Sequence, residues 1–163
     1  MFLHLGLAEL YVCMQAEAAL EALHACGIFH RDIKPDNFLV NGSNLLQLND
    51  FDLSCQERDA MEMATPIGTK SFWSPRFDSE GPWTRYSQED DWLGLALTFA
   101  YWGGHYRPEP LQSVSREVLF KHKLRSMSLL LSSAKVSGIT LLVERVEPFY
   151  KTIKEKSHQS NQF

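Results

Sequence analysis

Cysteine is scarce in this chain, and no lysine precedes Lys34. The three cysteines, Cys13, Cys26 and Cys55, are odd in number and show no CxxC spacing. Neither a disulfide framework nor a zinc site is suggested, and the expectation is reduced, buried thiols in an intracellular protein. Basic charge is also short: 16 Lys and Arg face 20 Asp and Glu, for a formal charge of -4. Nucleic-acid binding needs a basic face that displaces counterions, so neither DNA nor RNA is an expected partner. The opening MFLHLGLAEL carries no Lys or Arg and soon reaches Glu9, a poor fit to a secretory signal. The longest nearly uninterrupted apolar stretch, Trp92 to Gly104, falls short of the roughly 20 residues that cross a bilayer. No membrane association is expected, and the location read from these absences is cytoplasmic or nuclear. What is present is 44% apolar and 12% aromatic residues in 163, enough for one domain with a hydrophobic core.

From about Ala8 to Cys26 the chain is rich in Ala, Leu, Glu and Met. Cys13, Ala16, Leu20 and Leu23 fall on one helical face and Glu17, Glu21 and His24 on another, with Gly27 placed to end the helix. Phe38 to Val40 and Leu45 to Leu48 flank Asn41-Gly42-Ser43-Asn44, a turn between two short strands. Ser54 to Glu89 is polar, contains Pro66, Pro75, Gly81 and Pro82, and lacks a sustained period, so most of it reads as a long loop. Trp92 to Trp102 is helix-like and apolar on every face, the mark of a helix at the centre of the core. After Gly103-Gly104, Pro108 and Pro110, helices are expected over Val114 to Leu131 and about Ile139 to Lys154. Residues 157–163 read as a frayed polar tail. The other histidines, His24 among them, show no arrangement suggesting a shared site.

The chemistry lies in His30 to Asn37, HRDIKPDN, and in Asp50-Phe51-Asp52 beyond the hairpin. Phosphoryl transfer requires a carboxylate to orient the attacking hydroxyl, oxygen ligands for divalent cations, and cationic groups to offset charge on the transferred group. Asp32, Asn37, Asp50 and Lys34 are of those types. A loop carrying the first two, followed by a hairpin that returns Asp50, can gather oxygen ligands around magnesium.

Over roughly Leu5 to Gly104 these motifs resemble the C-terminal lobe of eukaryotic protein kinases. The resemblance implies a mainly α fold with a small β-hairpin, and a partial kinase domain over residues 1–156. It also implies an enzyme that moves the γ-phosphoryl group of ATP to a protein serine or threonine, using ATP and Mg2+. By resemblance Asp32 is the catalytic base, Lys34 the loop lysine that touches the transferred phosphate, and Asn37 and Asp50 the metal ligands. Arg31 looks like the arginine that pairs with a phosphorylated activation loop. Gly68-Thr69 and Phe72 to Arg76 look like the substrate-docking segment and its closing signature. Thr65 precedes Thr69 by the spacing of the activating phosphate, with Ser71 a second candidate. His30 and Asp91 look structural, Asp91 holding the catalytic-loop backbone through hydrogen bonds.

The pattern departs in several places. Asp52 stands for the glycine of the DFG motif, Arg76 for the glutamate of APE, and Ala96 for a helix glycine. With Arg76, the ion pair tying the docking segment to a later helix cannot form in its usual polarity. No glycine-rich loop, strand lysine or hinge precedes His30, so the expectation is a chain without the β-rich N-terminal lobe, with weak ATP affinity and apolar surface where that lobe would dock. A missing or separate N-terminal lobe is then a possible partner beside a protein substrate. The alternative reading is a pseudokinase or truncated noncatalytic binding protein. A third is a small-molecule phosphotransferase, against which Arg31, Lys34-Pro35 and Gly68-Thr69 stand.

Overall fold

The computed structural model describes residues 7–62, 67–80, 85–108 and 114–159. The fold is mainly α: helices α1 (Leu7–Ala25), α2 (Pro75–Glu80), α3 (Gln88–Trp102), α4 (Arg116–Ser137) and α5 (Thr140–Gln159) carry most of it. Strands β1 (Ile28–Phe29), β2 (Phe38–Val40), β3 (Leu46–Leu48) and β4 (Cys55–Gln56) form two antiparallel two-stranded sheets, β1 with β4 and β2 with β3. In the second, Phe38 lies opposite Leu48 and Val40 opposite Leu46.

Helix α3 is the axis of the core. Every side chain from Asp90 to Ala100 is buried, which is why its sequence shows no polar face. Its start is fixed by Ser87, whose N–H donates to Asp90 Oδ2 at 2.9 Å, the backward half of a capping box. Helix α1 packs on it through Cys13, Ala16 and Leu20 and ends at Gly27, whose φ of 69° admits a glycine readily. Helix α4 closes the same core with Met127, Leu130, Leu131 and Ala134, and α5 with Leu142, Val146 and Ile153.

Three expectations are corrected. Glu17 is buried, because α5 covers that side of α1 and the Leu142 N–H donates to Glu17 Oε1 at 2.8 Å. Burial pushes its carboxyl above the usual range, against the hydrogen bond from Leu142. The segment after Ser54 is less irregular than its sequence: it holds β4, α2 and 3-10 turns at Asp59–Glu62 and Lys70–Phe72. Helix α5 runs into the expected tail as far as Gln159.

The thiols also differ. Only Cys13 is buried; Cys26 is exposed and Cys55 half-buried. Burial, with Glu17 and Glu9 nearby, pushes the Cys13 thiol up to about 12. At neutral pH a maleimide is therefore expected to label Cys26 first and leave Cys13 unmodified until the protein unfolds. Mass mapping of the labelled sites against urea concentration checks this; Cys13 reacting at the native rate of Cys26 would contradict it.

Candidate active site

The site is built around Asp91, in the first turn of α3. Its Oδ2 accepts the His30 N–H at 2.8 Å and faces His24 Nε2 at 2.9 Å. Its Oδ1 accepts the Arg31 N–H at 2.9 Å and the Tyr86 hydroxyl at 2.6 Å. Arg31 is held at φ 70°, a left-handed conformation that costs a side-chain-bearing residue roughly 1–2 kcal/mol. The carboxylate clamped to the two consecutive amides keeps the chain in that turn and so aims the next residue, Asp32.

Both oxygens of Asp32 are engaged. Oδ1 accepts the Thr69 N–H at 2.8 Å. Oδ2 lies 2.8 Å from the Lys34 ammonium and accepts from Asn37 Nδ2 at 3.2 Å. Lys34 Nζ also donates to Thr69 Oγ1 at 2.8 Å, and Asn37 Nδ2 to the Asp32 carbonyl at 2.7 Å. Burial alone would raise the Asp32 pKa, but the bonds from Lys34 and Thr69 outweigh it and hold the carboxyl below its ordinary value. A carboxylate depressed in this way stabilises the fold above the ordinary carboxylate range, and the contribution is lost as pH falls through the depressed value. An acid-unfolding curve should therefore lose part of its slope in Asp32→Asn; identical curves would show that this pairing does not act on stability.

Gly68 makes the approach of the docking segment possible. With φ 91°, a Cβ there would stand 2.6 Å from the Arg31 carbonyl and 2.9 Å from Asp32 Oδ1. On the other side, His30 Nε2 lies 2.9 Å from the Asn49 carbonyl and its ring 5.1 Å from that of Phe51. The Asn49 N–H donates to the Asn37 carbonyl at 2.8 Å, so the residue before Asp50 is tied to Asn37. Asp50 itself is exposed, at φ 62°, and Phe51 is 47% exposed. The structure thus brings Asp32, Lys34, Asn37 and Thr69 into direct contact, and puts Asp50 one residue from a backbone bond to that group.

Arg31 is buried, its guanidinium against Cys55 and 5.7 Å from the centre of the Tyr86 ring. Thr65 lies outside the described residues. Ser71 is buried and its carbonyl accepts the Tyr106 hydroxyl, which leaves its side chain little access to a modifying enzyme. The docking segment is fixed from below. Lys123 of α4, fully buried, donates to the carbonyls of Lys70 at 3.0 Å and Trp73 at 2.9 Å, and to Asp78 Oδ2 at 2.6 Å. Arg76 pairs with Asp90, its Nε at 3.2 Å from Oδ1, and donates to the Arg85 carbonyl at 2.7 Å. The tie from this segment to a later helix therefore exists with the usual polarity, its acid supplied by Asp78.

Sequence reasoning missed His24, Tyr86, Asp78 and Lys123. The only signal for the first two was an aromatic or histidine flanking a motif. For Lys123 it was a place on the helical face of Leu119, Phe120 and Met127, three or four residues away on either side.

Asn37 and Asp50 supply an amide and a carboxylate oxygen, the hard donors that magnesium prefers. Among the described residues no group of three or more His, Cys, Asp or Glu forms a ready cation cage. These residues fit a magnesium ion that takes its other ligands from phosphate oxygens and water.

The family description Protein kinase domain matches residues 9–161. The chain is 31% identical over 147 residues to serine/threonine-protein kinase 32B of Homo sapiens, covering 86% of this chain and 34% of that protein. It is 38% identical over 88 residues to serine/threonine-protein kinase ssp1 of Schizosaccharomyces pombe, covering 48% of this chain and 14% of the relative. To human Rho-associated protein kinase 1 it is 40% identical over 83 residues, covering 48% and 6%. The chain thus spans about a third of the length of the first of these relatives and less of the others.

Proposed function

Because the chain belongs to the protein kinase domain family, of the serine/threonine type, we propose that its site transfers the γ-phosphoryl group of ATP to a serine or threonine hydroxyl of a protein. The observation that carries this reading is the contact of Asp32, Lys34 and Thr69. Asp32, kept ionised, accepts the proton of the attacking hydroxyl as its oxygen bonds to the γ-phosphorus and the bond to the departing ADP oxygen breaks. Lys34, which neutralises Asp32 at rest, turns to the transferred group and offsets its charge. Asn37 and Asp50 would hold magnesium, which neutralises phosphate charge when bound. Thr69 and Gly68 place the acceptor backbone beside Asp32.

The test is transfer of labelled phosphate from ATP to a mixed protein substrate. Asp32→Asn should lower transfer by about a hundredfold or more while leaving the fold intact by circular dichroism. Equal transfer by both proteins would remove Asp32 from the role of base.

One observation favours a second reading, a noncatalytic binding protein. Leu39, Val40 and Phe51 are 48%, 59% and 47% exposed beside the site, an apolar surface of the kind that partners cover. Absence of transfer by the unaltered chain, with a stable complex captured through this face and lost in Val40→Glu, would support it.

A further inference from the structure

A cavity lies beside the loop that carries Asp32 and Asn37, with Pro35 and Phe38 in its wall. It has a volume of about 540 Å3 and runs between the start of α1, the β2–β3 hairpin, the end of α3 and α4. Val12, Phe38, Trp102 and Leu130 are among the apolar residues of its wall. That size and apolar character fall within the range of about 300–1,000 Å3 typical of small-molecule sites. Its charge is one-sided. Among the described residues Glu9 is the one carboxylate on the wall, and no described lysine or arginine lines it. Cys13, also on the wall, stays a neutral thiol because its pKa is pushed up to about 12. Trp102, 38% exposed on the same wall, stacks its ring on that of Phe99 at 5.7 Å.

The geometry points to a binding site for a small hydrophobic amine, its apolar body in the cavity and its ammonium at Glu9. A carboxylate ligand would meet Glu9 with like charge, and a neutral one would leave it unused. A cation gains a charge-assisted hydrogen bond there. The site is joined to the proposed catalytic loop, since Pro35 and Phe38, which flank Asn37, belong to its wall and Phe38 packs edge-on against Trp102 at 5.5 Å. An occupant therefore bears on the residues that carry Asn37 without touching Asp32.

The experiment uses three matched probes, decylamine, decanol and decanoate, titrated calorimetrically into the whole chain at pH 8. The amine should bind about tenfold tighter than the alcohol and more so than the acid. Glu9→Gln should bring the amine to the level of the alcohol, and Leu130→Trp, which fills the cavity, should weaken all three. Equal binding of the three, indifference to Glu9→Gln, or binding unaltered in Leu130→Trp would overturn the assignment. So would binding seen only after residues 1–6 are deleted, which would make the chain's own beginning the occupant. None of these readouts depends on ATP or on phosphate transfer, so they stand apart from the test of Asp32.

Discussion

Lys123→Met is expected to lower the stability of the fold by about 3–5 kcal/mol. The lysine is completely buried, and its ammonium has three partners: Asp78 and the carbonyls of Lys70 and Trp73. Removing it leaves a buried carboxylate without its paired ammonium, with only the longer-range charges of Arg116 and Lys70, and takes a donor from two carbonyls. Burial pushes the Asp78 carboxyl above its ordinary value, with Lys123 pulling the other way, and burial pulls the Lys123 ammonium down against Asp78. The sign for Asp78 follows: the folded state holds that proton more tightly, so its contribution falls as pH rises from the ordinary carboxylate range through the raised value. Without Lys123 that fall should be steeper. Adding Asp78→Asn to Lys123→Met should recover part of the loss, because the uncompensated charge is gone while the two carbonyls remain unpaired. Urea midpoints at neutral pH measure Lys123→Met, Asp78→Asn alone and the double variant. A single-variant loss under about 1 kcal/mol, or a double variant as unstable as the sum of its parts, would show that the pair is not the anchor of the docking segment.

Asp91→Ala should be comparably severe, at about 4 kcal/mol or more. It would orphan the amides of His30 and Arg31, the Tyr86 hydroxyl and the His24 ring together. A typical domain has only about 5–15 kcal/mol in hand, so the variant would stand near the unfolding threshold. Asp91→Asn keeps one accepting oxygen and should cost roughly 1–3 kcal/mol. It gives the informative readout. Hydrogen exchange at the His30 and Arg31 amides should accelerate in it more than exchange at the buried amides of α4. Uniform acceleration would mean that Asp91 stabilises the whole core without specifically holding the catalytic loop.

The parts of this fold that could be read in the sequence are those whose causes are local. Helix α1 ends at Gly27 because a glycine suits that turn, and the hairpin forms around Asn41 to Asn44, where Asn44 takes φ 58°. The uniform apolarity of Trp92 to Trp102 identified the central helix directly. The loop from His30 to Asn37 carried its family resemblance in the order of its residues. What could not be read is held by distant partners. Helix α2 is six residues long, too short to persist on its own. Lys123 reaches it from α4, and Arg116 donates to the Phe77 carbonyl at 2.6 Å. Glu17 and His24 have the composition of a solvated face, and only the placement of α5 and α3 turns them inward. The partner of Arg76, Asp90, lies 14 residues on, beyond the range of any helical spacing rule.

The bond from the Leu142 amide to Glu17 joins residues 125 positions apart, and that separation has a consequence for the chain during its own synthesis. At about 5–20 residues per second, α1 waits roughly 6–25 s on the ribosome before the segment that covers Glu17 has been made. In that interval its buried carboxylate is still in water and the apolar face of Cys13, Ala16 and Leu20 has only its nearer neighbours to pack on. Docking of α5 on α1 is the event that covers Glu17, so a nascent chain stalled within α4 should bind holding chaperones, and one extended far enough for α5 to fold should let them go.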